Sequence, residues 1–158
     1  MLIIGCGNRE RSDDGAGILV AERLRQLGVE ADARVGEAGD LIEAWKGVDD
    51  VIVVDAVVTG APVGTVHAWD GRQPLSSVTT TDSTHGFGVA EAIKLAHLLD
   101  RLPTRLRVYG IEGRRFDLGA EASPEVKGAI EEVVRKIMAE VSVSPCDGPL
   151  ISDNLAFS

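Results

Sequence analysis

The chain has 158 residues, 44% of them hydrophobic and 26% charged, which is the composition of one soluble domain with a core of ordinary size. Lys and Arg number 16 against 25 Asp and Glu, a formal net charge of -9 that argues against nucleic acid or an anionic membrane surface as partner, since both are met by clustered cations. No apolar run reaches the length of a membrane span and no basic leader precedes the first apolar residues, so a cytoplasmic protein is expected, with no membrane partner. The two cysteines, Cys6 and Cys146, lack zinc-ligand spacing and read as free thiols in a reducing compartment.

Leu2-Ile3-Ile4 followed by Gly5-Cys6-Gly7-Asn8 reads as a buried strand that ends in a glycine loop. Ser12 is the expected cap of the next helix, with Asp13 and Asp14 at its positive end and Ile18, Ala21 and Leu24 as its inward stripe. The loop suits a dinucleotide phosphate poorly. Glu10 stands where the third glycine of that fingerprint belongs, and a pyrophosphate would face two carboxylates, a repulsion of roughly 4 kcal/mol at 4 Å and an effective dielectric of 20. A cation fits better, although the two acids can also serve only the helix dipole.

Val29, Ala31, Ala33 and Val35 alternate with polar residues as in an edge strand, and Gly36-Glu37-Ala38-Gly39 turns into a short helix capped by Asp40 and bearing Leu41, Ile42 and Trp45. That turn is expected at the same rim as the glycine loop. Val51-Ile52-Val53-Val54 is continuous and β-branched, the pattern of a parallel strand buried on both faces, and Asp55 follows it directly. Only Ala56 to Val63 separates it from the strand Gly64 to Trp69, too few residues for a parallel crossover, so that strand runs antiparallel. His67 reads as an edge residue without a catalytic role.

Gly71 to Thr84 forms a long Ser/Thr-rich loop that delivers His85 to the start of a helix with the stripe Val89, Ala92, Ile93, Ala96 and Leu99; His97 is solvated on it. Residues 106–111 are the last strand, with Gly113-Arg114-Arg115 as its exit. Ser123-Pro124-Glu125 opens an amphipathic helix carrying Val126, Ile130, Val133, Ile137 and Val141. Strands and helices in this order predict a single doubly wound, mostly parallel five-stranded sheet with one antiparallel edge strand and helices on both faces. The domain is expected over residues 1–141, with 142–158 as a C-terminal extension.

Asp14, Asp55 and His85 are expected to converge at the carboxyl ends of the strands, where such sheets bind ligands. Two carboxylates placed together repel unless one is protonated or a cation lies between them. With an imidazole beside them they suit zinc or nickel with open positions for substrate. The plainer alternative keeps Asp14 as a cap, Asp55 in a turn and His85 in a loop.

The order Gly5-x-Gly7-Asn8, Asp13-Asp14-Gly15-x-Gly17, Gly36-x-x-Gly39-Asp40-Leu41, Val53-Val54-Asp55-Ala56-Val57, Pro62-Val63-Gly64-Thr65-Val66, Thr84-His85-Gly86, Gly110-Ile111-Glu112 and Leu118-Gly119 resembles the hydrogenase maturation proteases, from Met1 to about Val141. The resemblance implies an endopeptidase that removes the C-terminal extension of a nickel-iron hydrogenase large-subunit precursor. It implies that Asp14, Asp55 and His85 are both the catalytic and the metal-binding set, reading nickel already installed in the substrate, with zinc or cadmium as surrogates, in an enzyme expected to be a monomer. Asp14 stands where some members carry Glu, Arg9-Glu10-Arg11 is unusually charged, and the tail after Val141 is additional. Two rivals remain at this level. A receiver domain would place magnesium-binding acids similarly but needs a lysine where Gly110-Ile111-Glu112 stands, and a catalytically idle metal or precursor-binding module would bind without cleaving.

Overall fold

The computed structural model describes residues 1–73, 88–114, 116–119 and 121–143. The apolar runs found in sequence form the interior of its sheet and the polar, shorter ones form the edges. The strands are β1 (Leu2–Cys6), β2 (Asp32–Arg34), β3 (Asp50–Val57), β4 (Val66–Asp70) and β5 (Arg105–Glu112). They lie in the order β2-β1-β3-β5-β4, all parallel except β4, which pairs antiparallel with β5. The mixed sheet with one antiparallel edge strand is therefore as expected, and the short connection after β3 is its cause.

Side chains alternate across each strand, so the sheet supports two cores. On one face α1 (Ala16–Gln26) and α4 (Pro124–Val143) bury Val20, Leu24, Val126, Ile130, Val133 and Ile137 against Ile3, Ile52, Val54 and Ile111. On the other, α2 (Ala38–Trp45) and α3 (Gly88–Leu98) bury Leu41, Trp45, Val89 and Ile93 against Ile4, Val51, Val53 and Val108. Each fully buried aliphatic side chain of this kind contributes about 1.5–3 kcal/mol, which makes the 3.6-residue stripes on the helices the main source of their stability.

Local readings of the sequence need correction at several points. Ser12 caps no helix. It begins a 3-10 turn over Ser12–Gly15, has a positive φ of 56°, and its hydroxyl donates to the Glu121 carbonyl at 2.8 Å. β2 is confined to three residues, because the Val29 N–H returns to the Leu24 carbonyl at the end of α1 and the Ala31 carbonyl accepts from Arg25 Nε. Asp40 is not a cap: α2 starts at Ala38 behind Glu37, and Asp40 in its first turn pairs with Arg34 at 2.9 Å. β3 continues to Val57, so Asp55 lies inside the strand instead of after it. Leu99 is half-exposed and falls beyond α3. α4 continues to Val143, and the rest of the tail and the greater part of the Gly71 to Thr84 loop lie outside the described residues.

Candidate active site

From β1 the chain passes through α1 to β2 on one side and, through α2, returns to β3 on the other. The connections diverge at the carboxyl ends of β1 and β3, which opens a crevice there, as in other doubly wound sheets. A cleft of about 460 Å³ occupies that position, lined among others by Gly7, Asp14, Gly36, Asp55, Glu91 and Phe116. The turn at Gly36 thus shares a rim with the glycine loop, as the sequence implied.

Asp55 reaches the cleft by strand alternation. Val51, Val53 and Val57 face α2 and α3 from β3, and Asp55 shares their side, at the point where the apolar wall gives way to the crevice. It is 9% exposed, and one carboxylate oxygen accepts the Ala56 N–H at 2.8 Å. Burial, and after it the negative charge of Asp14, pushes its pKa up to about 8, against the opposing pull of that single hydrogen bond.

Asp14 comes from the 3-10 turn. Its carbonyl accepts the Asn8 N–H at 3.1 Å and its own N–H donates to the Arg11 carbonyl at 3.1 Å, which folds the turn back over the glycine loop. Gly7 is required for this closure. It has φ of +135°, and a Cβ there would collide with the Asp14 carbonyl. The structure therefore brings Asp14 and Asp55 together, as expected. Asp13, the other member of the acidic pair, turns away and is fully buried. His85 lies outside the described residues, but Gly88, three positions later, begins α3 and lines the same cleft. Among the described residues no three His, Cys, Asp or Glu side chains group closely enough to hold a metal.

Cys6, at the end of β1, is buried, and its thiol is held well above the usual range by burial and then by Asp55 and Asp40, with Arg34 acting against them. It is a thiol and not a thiolate, which leaves it without the nucleophilic form that cysteine catalysis uses. What the cleft offers chemically is a pair of carboxyl groups that resist ionising together and are relieved by a cation.

Sequence reasoning missed Glu112. It is 2% exposed and accepts from Thr59 N–H (2.7 Å), Thr59 Oγ1 (2.7 Å) and Gly60 N–H (3.2 Å), with His67 Nε2 at 3.0 Å, so it fastens the β3–β4 connection to the end of β5. His67 also stacks on Trp69, centroids 5.0 Å apart. The available signal was a lone glutamate closing an otherwise apolar strand, since buried acids occur where donors gather.

These features define a doubly wound α/β protein with an acidic cleft at its switch point, and comparison with known proteins gives its class. The hydrogenase maturating endopeptidase HybD from Escherichia coli has the same fold, with a TM-score of 0.75 at 22% identity over 91% of this chain and 93% of that one. The NiFe hydrogenase maturation protease HybD from Thermococcus kodakarensis matches with a TM-score of 0.68 at 26% identity, over 90% and 98%. In sequence, Protein FrxA from Pyrococcus furiosus is 31% identical over 130 residues, 80% of this chain and 94% of its own length. The Hydrogenase 2 maturation protease of Escherichia coli is 24% identical over 151 residues, 91% and 92%. A family model described as HycI, hydrogenase maturation protease, matches residues 20–140. The chain belongs to the hydrogenase maturation protease family, and it is accordingly a hydrolase, an endopeptidase of hydrogenase maturation.

Proposed function

We propose that the protein removes the C-terminal extension of a nickel-iron hydrogenase large-subunit precursor after nickel has been installed, and that Asp14, Asp55 and His85 read the metal that the precursor presents. The observation that supports this most is the pairing of Asp14 with a buried Asp55 whose carboxyl stays protonated to about pH 8. A precursor carrying a divalent ion supplies the charge that lets both carboxylates ionise, and a precursor without it leaves the repulsion in place. Recognition is thus coupled to the substrate's metal content.

His85 completes the set through its place in the chain. It precedes Gly88 at the cleft wall by three residues, a length of chain that spans at most about 11 Å. Imidazole with two carboxylates suits nickel, and zinc or cadmium can stand in for it. The site works on the peptide bond without a thiolate, since Cys6 is buried and protonated. The attacking group is a water activated by a carboxylate or by the substrate's metal. The receiver reading loses its footing at Glu112, which is committed to Thr59, Gly60 and His67. Activity as a monomer in the cytoplasm belongs to the same proposal.

Replacing Asp14 or His85 with Ala is expected to lower processing of the nickel-loaded precursor by at least about a hundredfold, scored by the mass of the large subunit with time. Full activity in both variants overturns the assignment. Retained binding of precursor without cleavage by the native protein identifies the idle binding module instead.

A further inference from the structure

Asp13 and Asp14 are neighbours in one 3-10 turn and have opposite surroundings. Asp14 lines the cleft, whereas Asp13 is fully buried. One Asp13 carboxylate oxygen accepts the Ser123 N–H at 2.7 Å; the other accepts Ser123 Oγ–H at 2.9 Å and the Arg114 N–H at 2.8 Å. These donors sit at the exit of β5 and immediately before α4, more than a hundred residues along the chain. Asp13 therefore joins three elements that sequence keeps apart.

The turn needs such a fastening. Ser12 occupies the left-handed region at φ 56°, which a residue with a Cβ adopts only when its surroundings impose it, and a single 3-10 turn has poor internal hydrogen bonds. The Ser12 hydroxyl adds a second attachment to the same segment through the Glu121 carbonyl. Gly113 makes room for the contact, since a Cβ there would stand 2.9 Å from that of Asp13. A carboxylate excluded from water persists only where donors meet its lone pairs, and Ser123 and Arg114 supply such donors here.

We infer that Asp13 is a positioning residue: its carboxylate locks the strained turn to the β5 exit and the start of α4, and so presents Asp14 to the cleft in one geometry. The inference rests on the proposed role of Asp14 and extends it to a residue that touches no substrate. Misplacing a reacting group by an ångström can cost a hundredfold in rate, so a loosened turn acts on turnover more than on affinity.

The test compares native protein with Asp13→Asn, which keeps size but exchanges an acceptor for a donor, and with the milder Ser123→Ala. Both are measured well below their unfolding transitions. Backbone 15N relaxation is expected to show order parameters at Asp14 and Gly15 falling from about 0.85 toward 0.6, with the central strands unchanged. Cleavage of nickel-loaded precursor is expected to lose at least about tenfold in kcat, with KM within about twofold. A folded Asp13→Asn with native order at Asp14 and native kcat overturns the inference. Should Asp13→Asn not fold, Ser123→Ala decides: partial loosening at Asp14 supports the inference and native order there overturns it. If the native protein cleaves nothing, the proposed function fails, while the relaxation measurement still decides whether Asp13 positions the turn.

Discussion

Asp55 is a carboxyl that the fold prefers uncharged. Its pKa stands near 8 in the folded chain, through burial and then the charge of Asp14, against an ordinary value of 3.8. Between those values the folded state holds a proton that the unfolded chain has released, so Asp55 makes stability fall as pH rises from about 4 to about 8. Each pKa unit corresponds to about 1.4 kcal/mol, so the loss at pH 8.5 is several kcal/mol. Asp55→Asn removes it. Thermal unfolding at pH 5 and pH 8.5 is expected to show the variant's gain over the native protein growing by several degrees at the higher pH. An equal gain at both contradicts the assigned protonation. That Asp55 faces a ligand crevice was legible in the sequence, from an acid following a β-branched run in a parallel sheet. The separate fates of Asp13 and Asp14 were not, because adjacent acids before a helix look alike until the partners of each, here Ser123 and Arg114, are placed in space.

At the scale of elements, connections are held by buried acids more than by caps. Glu112 at the end of β5 satisfies two backbone N–H groups and a hydroxyl from the β3–β4 connection and pairs with His67 on β4. Glu112→Ala leaves those donors without an acceptor in a buried setting, a cost of about 3 kcal/mol, and is expected to lower the urea midpoint with little change in slope. A change below about 0.5 kcal/mol contradicts the role given to it. The periodic elements could be read from sequence since each long apolar run or stripe has one way to be buried: β3 as a strand covered on both faces, α1 and α4 as amphipathic helices, whereas the inner place of β5 follows only from the sheet order. The ends could not. Ser12 and Asp40 have the composition of caps, but each is drawn to a partner distant in sequence or in the neighbouring strand, Glu121 and Arg34, and tertiary contacts override the local preference.

For the whole molecule, the topology places function. The chain leaves β1 for β2 on one side, and the strands that follow β3 lie on the other, which opens the cleft in a sheet whose two faces each carry their own pair of helices. Among the described residues no helix is long and apolar enough to cross a membrane. The measurement that tests the central claim most directly is mass spectrometry of a nickel-loaded large-subunit precursor incubated with the native protein, beside the same precursor without metal. Loss of one C-terminal peptide from the nickel-loaded sample alone is the expected result. Equal cleavage of both samples contradicts recognition through the metal, and cleavage of neither contradicts the proposed substrate.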